Sequence, residues 1–268
     1  MIRRPIGGRA TIVLGVVGVL LLVSVYAFLS HRQHQKNPND RTIPTATQLA
    51  EGVTRAFTTD PATGKIWVVS DGAATASRLL LGLLLAVVGA VLIGYAMGCY
   101  PPVAALLHPP VSFLGKIPPT AMLAVFFVTV GVNFELYAAM IVFGVLPALT
   151  QTLYHAAKEN VPDELIYKAH TLGATQAEIV ANIIFRQTLP KLIDGVRLAV
   201  GPAMVFLIAA EWIAADVGFG HRIKLLSRQV DMRVVYVYLA ILGATGFGLD
   251  LFLAWLRRRL CPWYEEAA

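Results

Sequence analysis

Charge is what this chain has least of. Asp, Glu, Lys and Arg supply 14% of its 268 residues, against about 25% in a soluble domain, so an ordinary water-facing surface cannot be built from it. Cysteine is scarce too: Cys99 and Cys261 lie far apart with no metal-ligand spacing, which reads as two unpaired thiols. The phosphate-cradling pattern Gly-x-x-x-x-Gly-Lys-Ser/Thr is missing, so the chain does not itself hydrolyse ATP. His-Glu-x-x-His and Gly-x-Ser-x-Gly are missing as well, and His31, His34, His108, His155, His170 and His221 are scattered, so neither a catalytic constellation nor a metal site is expected. The formal net charge of +6 comes without a soluble basic face, which argues against nucleic-acid binding.

Apolar residues are what the chain has in excess, 57% of the total, and they come in long runs. Such runs suit lipid, where every backbone polar group must be satisfied within its own segment. Ile12 to Leu29, preceded by Arg3, Arg4 and Arg9, reads as a first span; it is long for a signal peptide, and no clear cleavage site follows. The polar stretch His31 to Asp71 holds Pro38, Pro44, Pro61 and Gly64, with an amphipathic patch at Gln48 to Phe57. Further spans are expected at Leu79–Cys99, Ile117–Val132, Leu136–Tyr154, Leu198–Val217 and Val234–Leu256. Proline pairs at Pro101-Pro102, Pro109-Pro110 and Pro118-Pro119 predict that no continuous helix runs between the second and third of the six. The predicted class is therefore an all-α membrane protein with six transmembrane helices. Its parts are an N-terminal helix (1–30), an extracytoplasmic polar segment (31–77), a five-span core (78–256) and a cytoplasmic tail (257–268). Arginines beside the first span and Arg257-Arg258-Arg259 after the last place both termini in the cytoplasm.

That orientation puts residues 158–197 in the cytoplasm. Pro162 followed by Asp163 and Glu164 starts a short helix, with acidic side chains at the positive end of its dipole, and Gly173 stops it. Thr175-Gln176-Ala177-Glu178 is a capping box that opens a second helix. In that helix Val180, Ile183, Ile184 and Gln187 share a stripe, and Pro190 is expected to end it. A helix–Gly–helix element of this kind is shaped to dock into a partner's groove.

Tyr167-Lys168-Ala169-His170-Thr171-Leu172-Gly173-Ala174, with Ile183 ten residues after the glycine, resembles the EAA loop of type I ABC importer permeases. The nitrate, sulfonate and taurine branch is the most similar, through Leu189-Pro190, Lys116-Ile117-Pro118-Pro119-Thr120-Ala121, Gly195-Val196-Arg197-Leu198, Ala210-Glu211 and Gly218-Phe219-Gly220. The resemblance covers residues 78–256. It implies a docking loop made of Asp163, Glu164, Tyr167, Lys168, Ala169, His170, Gly173, Thr175, Ile183 and Pro190. It also implies ABC ATPase subunits that use the ATP, a second permease subunit in a homodimer, and an extracytoplasmic substrate-binding protein. The cargo would be a small solute such as nitrate, a sulfonate or taurine. The chain departs from the motif at Tyr167, which stands where the family carries glutamate, and at Arg186, which replaces a proline.

Glu211 falls inside the fifth span, where a carboxylate must face the bundle interior or a water-filled path. It reads either as lining the translocation pathway or as a paired residue locking helices together. Asp250 is close enough to the interface to snorkel or to pair with the terminal arginines. Gly82, Gly89, Gly94 and Gly98, and Gly243, Gly246 and Gly248, predict close helix packing in the second and sixth spans. Arg222, Lys224 and Arg228, alternating with Ile223, Leu225 and Leu226, suit an interfacial helix or a docking surface. The competing class, an ion-coupled secondary transporter, would need midplane carboxylates and an inverted repeat; one candidate carboxylate and no internal symmetry are found.

Overall fold

Apolar runs become helices because a helix satisfies its own backbone. The computed structural model describes residues 7–38, 40–59 and 64–264; Arg3, Arg4 and Pro61 lie outside them. The described helices are α1 (Gly8–Lys36), α2 (Ala46–Phe57), α3 (Trp67–Cys99), α4 (Pro101–Leu114), α5 (Pro119–Thr129), α6 (Phe134–Glu159), α7 (Asp163–Thr171), α8 (Gln176–Ile179), α9 (Phe185–Ala214), α10 (Phe219–Arg228) and α11 (Met232–Leu260). Between α8 and α9 the residues Val180–Ile184 form a π turn, so the helical path is unbroken from Gln176 to Ala214. Five helices are long and apolar enough to cross a membrane, or six if the bent pair α4–α5 makes one span.

The third predicted span therefore takes a different form. Its helix holds only 11 residues and meets α4 at 97°, too short to cross a core of about 30 Å alone. Pro118 and Pro119 force Ile117 and Pro118 out of the α region, and the chain breaks there. Pro109 and Pro110 behave otherwise. They sit inside a continuous α4, contrary to the expectation that the proline pairs would preclude one; neighbouring groups in a membrane bundle can re-satisfy the backbone that proline frees. Pro190 likewise lies inside α9 and does not end the helix.

Two compact units are present. The larger comprises Val68–Lys224 and Ala240–Ala268, and its core is the packing of α3, α6 and α9. Leu79, Leu83, Ala86 and Ala90 of α3 are buried with Tyr137, Met140, Ile141, Leu149 and Leu153 of α6 and Val200, Ala203 and Leu207 of α9. The predicted glycine stripe of α3 makes this contact close. A Cβ on Gly82 would lie 2.6 Å from Ile141, and one on Gly98 would lie 2.5 Å from Ala157. The opposite faces, with Leu84, Leu92, Leu198 and Val205, stay exposed, as helices immersed in lipid require. The α11 glycines differ from expectation: Gly243 and Gly248 have nothing within 4 Å and Gly246 meets only Met204. Those glycines pack no helix closely within this chain.

The smaller unit joins Met1–Trp67 to Leu225–Leu239. A capping box at Thr45 and Gln48 starts α2, the amphipathic patch seen in the sequence. Tyr26 and Ser30 donate to the Pro44 carbonyl, at 2.7 and 3.2 Å. Asp231 is the unit's ionic centre. It accepts from Arg55 at 2.6 Å and from Arg233 at 2.8 Å, and Arg233 also reaches Glu51 at 2.9 Å. The hydrogen bonds from Arg233 hold the Asp231 carboxyl below its usual 3.8; burial opposes this, and the charges of Arg233, Arg55 and Arg41 add to the lowering. A depressed carboxylate contributes stability that is present above the unfolded value and lost as pH falls through the folded one. Hydrogen exchange of segment 46–57, corrected for intrinsic rates, should accelerate as pH drops below 3.8, and Asp231→Asn should abolish that pH dependence.

Candidate functional site

The helix–Gly–helix element forms as its caps dictate. Asp163 and Glu164 occupy the first turn of α7. At its C-terminus Gly173 has φ +84, with Gly173 N–H donating to His170 O and Ala174 N–H to Ala169 O, both at 3.0 Å. This is a Schellman ending, whose left-handed residue favours glycine. Thr175 caps α8 reciprocally: its backbone N–H donates to the Glu178 carboxylate at 2.8 Å, and its hydroxyl accepts from Glu178 N–H at 3.4 Å. Ala169 and Ile179 are buried beneath, together with Ile184 and Pro190; Val180 and Ile183 are half-buried and Gln187 is exposed.

The outer side of the element is free. Asp163, Glu164, Lys168, His170, Gly173 and Thr175 are exposed, and Tyr167 and Leu172 stand out at 67% and 87% exposure. The structure thus brings the predicted loop residues other than Pro190, which is buried in α9, onto one element, with Tyr167 and Leu172 standing out among polar side chains. Behind it a cavity of about 320 Å³ is lined by Cys99, Lys158, Asp163, His170 and Gln176.

At the far end of α9 lies a second cluster, of which the sequence reading singled out Glu211, Arg222 and the segment Gly218-Phe219-Gly220 but not Asp71, Thr75 or Arg78 as its members. Glu211 is fully buried. Its carboxylate accepts from Arg78 at 2.8 Å, from the Thr75 hydroxyl at 3.0 Å and from Gly220 N–H at 3.0 Å. Arg78 also donates to Val217 O at 2.7 Å and lies over the Tyr137 ring, 4.1 Å from its centroid. Asp71, equally buried, accepts from Arg222 at 2.9 Å and from Gly218 N–H at 3.2 Å, and Thr75 accepts from Phe219 N–H at 2.9 Å. Two carboxylates are thus matched by two guanidiniums, and the N–H groups of Gly218, Phe219 and Gly220 at the start of α10 all meet side-chain acceptors. Asp71, Thr75 and Arg78 recur at helical spacing on one face of α3, and that polar stripe entering an apolar run was the available signal.

A third set of charges ties α9 to α11. Arg197 makes a bidentate pair with Asp250, and Arg257 donates to both oxygens of Asp194 at 2.8 and 2.9 Å. Asp250 therefore pairs with a basic residue, but with Arg197 and not with the terminal arginines. Arg222 turns inward to Asp71, so it cannot serve an outward docking face.

Residues 78–261 match the model of the binding-protein-dependent transport system inner membrane component family. A probable ABC transporter permease protein of Brucella abortus (strain 2308) is 32% identical over 75% of this chain and 80% of its own length. The taurine transport system permease protein TauC of Escherichia coli K12 is 30% identical over 72% of this chain and 70% of its own. A solved inward-facing conformation of the MetNI methionine ABC transporter aligns with a TM-score of 0.57 at 17% identity, covering 81% of this chain and 99% of that one, a likeness of fold.

Removing one member of a buried ion pair strands the other. Arg78→Met should destabilise the permease by about 3–5 kcal/mol, read as a lowered thermal-unfolding midpoint in detergent. Adding Glu211→Gln should recover part of that loss.

Proposed function

The chain belongs to the binding-protein-dependent transport system inner membrane components, and on that premise we propose which segment couples it to ATP and what it carries. It is a multi-pass inner-membrane permease subunit of an ABC importer. Residues 163–184 are the surface on which an ABC ATPase docks; the observation that carries this is the exposed α7 with its Schellman turn at Gly173 and capped α8. Tyr167 and Leu172 would fill an apolar groove of the ATPase, and Asp163, Glu164, Lys168 and His170 would rim it. The ATP is bound and hydrolysed by that partner.

The remaining assignments follow from the same premise. Two ATPase subunits call for two permease subunits, in the simplest case a homodimer of this chain, served by an extracytoplasmic binding protein. Both termini then face the cytoplasm, residues 78–256 form the transport core and 31–77 lie outside. The cargo class is a small solute such as nitrate, a sulfonate or taurine, supported by likeness to a taurine permease. Glu211 acts as a helix lock more than as a pathway group, since Arg78, Thr75 and Gly220 enclose it. An ion-coupled secondary transporter is not favoured: the one candidate carboxylate weighed for it, Glu211, lies near the end of α9 and is already tied to an arginine.

Gly173 offers the test. Nothing lies within 4 Å of a Cβ there, so only its φ of +84 opposes a side chain. Gly173→Val should strain the turn by roughly 1–2 kcal/mol and reduce co-purification of the ATPase and ATP-driven uptake, whereas Gly173→Asn, which tolerates that conformation, should retain most of both. Full assembly and uptake with valine would remove the docking assignment.

A further inference from the structure

The N–H groups of the turn Val217–Gly220 are met by side chains, while the Gly218 carbonyl accepts from Arg222 N–H in the first turn of α10. Gly218, Phe219 and Gly220 direct their N–H groups at Asp71, Thr75 and Glu211, which belong to α3 and α9. Two glycines let the turn sit directly on the carboxylate: a Cβ on Gly218 would lie 2.6 Å from Glu211 Oε1, and one on Gly220 would lie 2.6 Å from Ile208 O. Arg78 closes the set by bonding both Glu211 and the Val217 carbonyl. Bonds of this kind are exchangeable. If α3 and α9 shift against each other, the turn loses its donors' partners together, whereas a backbone-paired hairpin would travel intact.

Glu211 shares one unbroken helical path of 39 residues with the docking loop, Gln176 to Ala214, roughly 58 Å at 1.5 Å per residue. Asp194 and Arg197 fasten the middle of that path to α11. A displacement applied at Thr175 therefore acts on the same helical path, which carries the π turn, Pro190 and Pro202 along it, and at Glu211 the contacts it bears on are those of Arg78, Thr75 and Gly220.

We propose that Thr75, Arg78 and Glu211 are positioning residues that latch the Val217–Arg222 turn over the outer end of the permease, and that the ATPase cycle opens this latch through α9. The proposal rests on the importer reading and on the orientation given above. With the latch engaged the resting transporter is held in one conformation, and ATP hydrolysis without binding protein is slow. Loosening the latch lowers the barrier that the loaded binding protein would otherwise overcome.

The test uses the assembled permease–ATPase complex in lipid nanodiscs, with Thr75→Val and Glu211→Gln, two near-isosteric changes, and Arg78→Lys as a milder third. Only variants that assemble with the ATPase at wild-type stoichiometry by size exclusion are compared. ATP hydrolysis in the absence of any binding protein should rise roughly tenfold for Glu211→Gln, the size of one hydrogen bond to a charged group, with Arg78→Lys intermediate and uptake into vesicles reduced. A purely structural role would lower the amount of assembled complex without changing the rate per complex. Wild-type basal hydrolysis in the assembled variants, or hydrolysis lost altogether, would overturn the latch. Failure of the wild-type chain to assemble with any ABC ATPase would instead overturn the importer reading.

Discussion

A hydrocarbon slab offers no hydrogen-bond partner to a peptide group or a charge, and most features of this permease are answers to that shortage. Long helices satisfy the backbone along their own axes. Where the chain leaves a helix in a buried place, as at Val217–Gly220, side chains of neighbouring helices must supply the acceptors, and Asp71, Thr75 and Glu211 do so. Carboxylates placed there need cations, and Arg78 and Arg222 are the result. The cluster is thus a single solution in which each group is present because another requires it.

The same shortage explains how the bundle packs. Lipid gives helices no hydrophobic reason to associate, so contact depends on close approach. The glycines of α3 permit it against Ile141, Leu146, Leu153 and Ala157 of α6. Between α9 and α11 charge contributes instead: the Asp194–Arg257 and Arg197–Asp250 pairs run in opposite polarity along antiparallel helices, and a slip of about two turns of α11 would set like charges together.

What the sequence revealed was whatever depends on near neighbours. Apolar runs located the long helices, and Pro162, Gly173 and Thr175 marked the ends of α7 and α8, because caps and left-handed turns act over four or five residues. Proline misled twice for the same reason. Its local cost was visible at Pro109-Pro110 and at Pro190, while the packing that offsets it inside α4 and α9 was not. Glu211 was recognisable as an anomaly, but its partners Thr75 and Arg78 lie 136 and 133 residues away, and no periodicity connects them. The open glycines of α11 were read as packing residues, since a small side chain looks alike whether it faces a helix or nothing.

The π turn at Val180–Ile184 has a further meaning for register. An α-helix can absorb one extra residue only by rotating everything beyond it through about 100°, or by swelling locally into a wider turn. Here the swelling sits between the helix–Gly–helix element and the long α9. Upstream of it Ala169 and Ile179 of α7 and α8 pack into the core, while downstream Asp194, Arg197 and Glu211 keep the register their partners demand. The wider turn lets both registers be met at once along one continuous helical path, so the packing at one end and the buried charges at the other need not share the phase of a regular α-helix.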